Sequence, residues 1–151
     1  MRKIISFTHA TLDGYIDEPH TWSFQYSNEE LQEYGLKMTL AADALLLGRI
    51  TYEGMAQAWP TRGGNSFADH VSAITKYVVA SQPVDTTAWE PTVVMAGPDL
   101  LDEYQSCTSP VSKGGGEPLF RPASTGAVEL RDTKIFATGA VVHAYRPASA
   151  P

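Results

Sequence analysis

The chain has 151 residues, 43% apolar and 19% charged, the size and composition of one soluble globular domain, which excludes a disordered class. A formal net charge of -6 argues against general affinity for nucleic acid or acidic membranes, because neither gains from an anionic partner. The single cysteine, Cys107, excludes an internal disulfide and suits a cytoplasmic, reducing compartment.

Lys3-Ile4-Ile5-Ser6-Phe7-Thr8 is β-branched and aromatic and reads as a strand, ended by a loop at Asp13-Gly14. Its apolar part is too short for a signal peptide or a membrane span. A polar loop containing Pro19, His20, Trp22 and Tyr26 follows. Asn28 is placed as an N-cap, with Glu29 and Glu30 where the helix dipole favours negative charge. Leu31, Tyr34, Met38 and Ala41 recur at spacings of three and four, which predicts an amphipathic helix to about Ala42.

Ala44-Leu45-Leu46-Leu47 is a continuous apolar run that stops at Gly48, the pattern of a strand buried on both faces. Thr51 to Ala58 predicts a short helix, and Trp59 to Asn65 a loop. Ser66 is placed to cap a further helix with Phe67, Val71 and Ile74 on one face. Tyr77 to Ala80 and Thr92 to Ala96 read as two more buried strands. Cys107, within Tyr104 to Ser109, reads as strand filler rather than a nucleophile.

Strands alternating with helices predict an α/β sandwich with a largely parallel sheet. The C-terminal end differs. Val128 to Ala137 and Ala140 to Tyr145 meet around Thr138-Gly139 with no room for a helix, which predicts an antiparallel hairpin. The expected organisation is one domain over residues 1–146 and a flexible tail over 147–151.

Metal-ligand spacing is absent: His9, His20, His70 and His143 are scattered and Cys107 has no partner, so no metal is expected. There is no Walker-type loop and no dinucleotide-binding glycine fingerprint after a strand. The most informative junction is Leu45-Leu46-Leu47-Gly48-Arg49-Ile50-Thr51-Tyr52-Glu53, where a buried strand delivers a glycine, an arginine and a threonine at a helix start. Glycine permits close approach to the backbone, and unpaired first-turn amides favour a phosphate. Arg49 can add a bidentate contact and Thr51 a hydroxyl donor. A plain glycine turn with a solvent-facing arginine is the alternative.

Crevices in open α/β sheets lie beyond the carboxyl ends of the strands, here Thr8 to Gly14, Gly48 to Thr51, Ser81-Gln82 and Gly97. Asp13 either binds or protonates a substrate or makes a turn with Gly14. Trp22, Phe24, Tyr26, Trp59 and Trp89 could line an apolar pocket, though core packing is the commoner use of such residues.

Four segments in order carry a resemblance. They are Thr11-Leu12-Asp13-Gly14-Tyr15-Ile16, Asp43 to Glu53, Lys76-Tyr77-Val78-Val79-Ala80-Ser81, and Ser109-Pro110-Val111-Ser112-Lys113-Gly114-Gly115-Gly116-Glu117-Pro118-Leu119-Phe120. Together they resemble the dihydrofolate-reductase-like family that includes the C-terminal reductase domain of riboflavin biosynthesis (RibD). That resemblance implies a three-layer α/β/α sandwich, a mostly parallel sheet with an antiparallel C-terminal hairpin, a homodimer, and reduction of a small heterocyclic or carbonyl substrate by NADPH, with NADH as the other donor.

By position it implies that Gly48, Arg49 and Thr51 meet the cofactor phosphates, with Gly97 on the same side and Ser81 and Gln82 near the adenosine ribose. Gly14 and Asp13 would flank the nicotinamide, Asp13 as the catalytic candidate, and Leu12, Trp22 and Tyr52 are the expected substrate contacts. Relatives often carry a basic residue after the position of Ser81; Gln82 stands there in this chain. Around Gly97-Pro98-Asp99 the chain also lacks a helix, a strand and a second glycine loop of the family pattern. This shortening implies a dimer with an enlarged interface, or a non-catalytic, small-molecule-binding protein on the same fold.

Overall fold

The computed structural model describes residues 3–95, 102–120 and 126–148. Within them the chain is mixed α/β, with parallel and antiparallel strands. It divides into two compact units, residues 1–32 with 99–151 and residues 33–98.

In the first unit, β1 (Ile5–Thr11), β5 (Glu103–Ser109), β7 (Val141–Pro147) and β6 (Val128–Ile135) form a four-stranded sheet in that order. The β1–β5 pairing is parallel and joins distant parts of the chain, His9 opposite Cys107. The other two pairings are antiparallel, and the expected hairpin is β6–β7. Its turn is closed by Phe136 N–H donating to Ala140 O at 2.9 Å and Gly139 N–H to Phe136 O at 2.9 Å.

Side chains alternate across a strand, so the two faces of this sheet differ. Gln105, Cys107 and Ser109 on β5 are buried together with Val142 and Ala144 on β7. The opposite face carries Tyr104, Ser106 and Thr108 beside His143 and Tyr145. Cys107 is fully buried and its thiol is pushed up to about 11 by desolvation, as expected of strand filler.

The stretch read as a polar loop contains a short helix, α1 (Pro19–Trp22), and a 3-10 turn, Phe24–Tyr26. Proline at the start of α1 fits because its missing N–H would be unpaired there anyway. The division between the units falls inside α2 (Glu29–Leu40), whose Asn28 cap is confirmed by Leu31 N–H donating to Asn28 Oδ1 at 2.9 Å.

In the second unit, β2 (Ala44–Gly48), β3 (Thr75–Val79) and β4 (Thr92–Met95) form a parallel sheet, with α3 (Arg49–Ala58) and α4 (Ser66–Ala73) between β2 and β3. Its core is Tyr52, Val71, Val78 and Trp89, with Leu45, Leu47, Met55 and Phe67 packed against it. Alternation sends the neighbours the other way. Leu46, Tyr77 and Val93 lie in register across the three strands and are 37%, 37% and 46% exposed. The expectation of strands buried on both faces therefore holds for one face only.

Two further expectations are corrected. The cap of α4 is Asn65, whose Oδ1 accepts from Ala68 N–H at 2.9 Å, while Ser66 is the first helical residue. The strand β7 continues through Pro147, and Ala148 N–H donates to Ala127 O at 3.0 Å, so 147 and 148 are not tail. Residues 149–151, Ala96, and the shortened segment at Gly97-Pro98-Asp99 lie outside the described residues.

Candidate functional site

Helix α3 begins directly at Arg49, two residues earlier than expected, so Gly48 is its N-cap and Thr51 lies in its first turn. Gly48 is extended (φ -73°, ψ 156°), and no side chain caps the helix. A Cβ built on Gly48 would meet nothing within 4 Å, so a ligand can approach this backbone closely. By contrast α2 and α4 are both capped by asparagine side chains. An uncapped helix start presents several N–H groups and the positive end of the helix dipole.

The Arg49 guanidinium is held on its own helix. Nη1 donates to both carboxylate oxygens of Glu53 at 3.0 Å, one turn on. The two side chains are 37% and 44% exposed, so the pair is solvent-screened and weak. Ile50 and Thr51 are exposed, as are Ser81 and Gln82 just past β3. Tyr52 differs from these. It is buried in the core, stacked with Trp89 at 6.2 Å between centroids, and its hydroxyl donates to Asp85 O at 3.1 Å. It also borders a groove of about 210 Å³ with Glu53 and Asp85.

The first-unit candidates surround a latch. Gly14 adopts φ +84°, a left-handed conformation natural to glycine, and its amide donates to Thr11 O at 2.9 Å. The turn between Asp13 and Gly14 is thus made by Thr11. The Asp13 carboxylate instead accepts from Thr11 Oγ1 at 2.6 Å, Ser112 Oγ at 2.9 Å, Gly114 N–H at 2.7 Å and Lys113 N–H at 3.1 Å. These donors, the Thr11 hydroxyl first and the Gly114 amide next, hold it far below the usual carboxylate range. At neutral pH it is a bound carboxylate with no proton to give.

Asp17 repeats the arrangement one step on. It pairs with the Lys113 ammonium and accepts from Glu117 N–H at 3.0 Å. Backbone bonds from Leu12 to Val111 O, Ile16 to Glu117 O and Leu119 to Gly14 O complete the clasp. Gly116, at φ +141°, passes so close to Asp17 that a Cβ would collide with its carboxylate. Sequence reading assigned none of this to Asp17, Ser112 or Lys113; the glycine run beside Lys113 was the available signal.

Leu12 is 71% exposed, whereas Trp22 is buried, with its indole N–H donating to Asp17 O at 3.0 Å. Gly97 lies outside the described residues. A groove of about 310 Å³ opens on the Tyr104/His143/Tyr145 face of the four-stranded sheet, bordered also by Phe120 and Val128. Among the described residues, none of the predicted site residues lines it, and none of the five aromatics proposed for a pocket lines either groove.

The sequence profile of the RibD C-terminal domain matches residues 2–97, which include β1, β2, Gly48, Arg49 and Ser81. The chain belongs to that family. No curated protein sequence matches it. Among solved structures it is similar to the proposed riboflavin biosynthesis protein of Shewanella sp. PV-4, with a TM-score of 0.75 at 18% identity, covering 98% of this chain and 100% of that one. It is also similar to a pyrimidine reductase-like protein of Corynebacterium diphtheriae, with a TM-score of 0.62 at 9% identity over 98% and 92%. RibD of Acinetobacter baumannii gives a TM-score of 0.60 at 13% identity, covering 99% of this chain and 59% of that one. At such identities these structures speak for the fold alone, the dihydrofolate-reductase-like fold expected from the four segments. Among the described residues no helix is long and apolar enough to cross a membrane.

Proposed function

We propose that this RibD-type domain is a pyridine-nucleotide-dependent reductase of a small heterocyclic or carbonyl substrate, with NADPH as the reductant and NADH as a second donor. One observation carries the reading: the uncapped start of α3 after Gly48, inside the stretch that matches the reductase family. Its bare amides suit a phosphate, the space over Gly48 admits one, and the Thr51 hydroxyl adds a donor. Arg49 would exchange the Glu53 carboxylate for that phosphate, a swap of like partners that costs little at an exposed pair. Ser81 and Gln82 would take the adenosine side. Gln82 brings no charge to a 2′-phosphate, so the preference between the two nucleotides should be small. When bound, the reduced nicotinamide supplies the hydride. Asp13, already saturated with donors, would position its loop, and the proton would come from solvent.

Calorimetric titration with NADPH and NADH tests the reading. Saturable binding of either in the micromolar range is expected, and absence of binding at millimolar nucleotide refutes it. A second reading, nucleotide binding without turnover, is favoured by the bound state of Asp13, which leaves no acid in that loop. Oxidation of NADPH followed by absorbance in the presence of pyrimidine and simple carbonyl substrates separates the two.

A further inference from the structure

We propose that the groove on the Tyr104/His143/Tyr145 face of the four-stranded sheet binds a flat, uncharged aromatic molecule carrying hydroxyl or carbonyl groups along one edge. The inference is independent of the nucleotide reading. Among the described residues, none assigned to the nucleotide lines this groove.

Strand alternation builds the floor. Pairing sets Thr8 of β1, Ser106 of β5 and His143 of β7 side by side, one residue from each of three adjacent strands. Paired strands lie about 4.8 Å apart, so these side chains form an evenly spaced polar row. The adjacent row on the same face is Ser6, Tyr104 and Tyr145, which brings two phenol rings beside the polar one. Phe120 adds a further ring, 6.5 Å from Tyr104 between centroids, and the His143 ring stacks on Tyr145 at 5.9 Å. Leu119 and Val128 extend the apolar wall.

The site is formed in advance of any ligand. Its floor is fixed by two strand ladders. Its Phe120 wall is held by main chain: Leu119 N–H donates to Gly14 O at 2.8 Å, and Pro118 bridges to Tyr15. Phe120 itself is 59% exposed, which leaves its ring open to contact. A preformed site loses little to ordering when it binds.

The lining names the occupant. Among the described residues, no Asp, Glu, Lys or Arg borders the groove, so nothing there offsets the desolvation of a charged ligand. Among the same residues, the Thr8 hydroxyl and the His143 ring have no hydrogen-bond partner, and the Ser106 hydroxyl has only a long contact of 3.5 Å with Thr108 Oγ1. Hydroxyls both donate and accept, and an imidazole nitrogen does either according to its tautomer, so the row answers a hydroxyl or a carbonyl. A volume of about 310 Å³ suits one compact molecule. An apolar protein surface is a poor cover for this face. It would leave the whole polar row without water or partner, each group at the full cost of its desolvation. A flat ring against Tyr104, Tyr145 and Phe120, with its polar edge toward Thr8, Ser106 and His143, buries aromatic carbon and pairs the row together.

Nuclear magnetic resonance titration of the full chain with dihydroxynaphthalene tests this, followed on the backbone amides and the His143 ring. Saturable shifts at Thr8, Ser106, Phe120 and His143 are expected, with submillimolar affinity. Decalindiol keeps the hydroxyls on a saturated frame, and naphthalenedisulfonate keeps the rings but adds charge; each should bind about tenfold more weakly or worse. Thr8→Val and Ser106→Ala each remove one hydroxyl with little change of volume and should weaken dihydroxynaphthalene about two- to tenfold. Both positions are half-buried, and the amide spectrum of each variant checks the fold. The proposal is overturned by a wild type without saturable shifts, by either control compound binding as tightly as dihydroxynaphthalene, or by both variants binding like wild type. Shifts of the same residues that follow protein concentration and ignore the ligand would also overturn it, by showing that a second copy covers the face.

Discussion

Neutralising the two ends of the Arg49–Glu53 pair, singly and together, tests the phosphate assignment most directly. In Arg49→Gln, the nucleotide loses a charge-assisted contact of about 1.5 to 3 kcal/mol, which weakens affinity about 10- to 100-fold. The change in fold stability should be much smaller. An exposed i,i+4 pair contributes about 0.3 to 0.5 kcal/mol, and these side chains are 37% and 44% exposed. Glu53→Gln points the other way. It frees the guanidinium from a carboxylate at 3.0 Å, so affinity should rise about twofold or slightly more. In the double variant the gain should vanish, because Glu53 acts through Arg49; a double-mutant cycle measures that coupling. Calorimetry with NADPH gives the affinities, and urea melts of all four proteins give the stabilities. If the wild type binds and Arg49→Gln binds within twofold of it, the arginine does not touch the phosphate and the reasoning fails.

Gly116→Ala should destabilise by about 2 kcal/mol or more, because φ +141° disfavours any L side chain and the new methyl meets the Asp17 carboxylate. Gly115→Ala, where a Cβ meets nothing within 4 Å, should stay within about 0.5 kcal/mol of wild type in the same urea melts. Asp13 predicts the acid limb of stability. Its folded-state value lies below its unfolded one, so the unfolded chain binds the proton first, and this contribution is complete above the ordinary carboxylate range and lost as pH falls through the lowered value. Melting temperature against pH should therefore be flatter in acid for Asp13→Asn than for wild type, and parallel curves would remove Asp13 from the latch.

Much of the fold was legible because periodicity is a local property. The apolar run ending at Gly48, the Asn28 cap and the hairpin at Gly139 each declare themselves within a dozen residues, and each is present. What periodicity does not carry is the identity of the partner. The β1–β5 pairing sets His9 against Cys107, and no pattern near either residue announces it. Lys76 shows the same limit. In the sequence it opens a strand segment, yet its side chain is fully buried, with Nζ donating to Ser72 O at 2.6 Å and Glu90 O at 3.1 Å and lying 4.6 Å from the Trp89 ring. Burial lowers its proton affinity, and the two carbonyls and the ring offset that cost.

Asp13 shows why site chemistry is harder to read than fold. An aspartate before a glycine at the end of a strand is equally compatible with an acid, a ligand or a turn, because all three ask for a short carboxylate on a bent backbone. The deciding groups, Ser112, Lys113 and Gly114, are about a hundred residues away. Arg49 is the opposite case. Its supports, Gly48 before it and Glu53 one turn after, are local, so the helix start could be placed from sequence within two residues. Local features therefore recommended the phosphate end of the site for sound reasons, whereas the acid end was recommended only by residue type. The two ends should consequently be tested apart: a result that removes Asp13 from catalysis leaves the case for Arg49 intact.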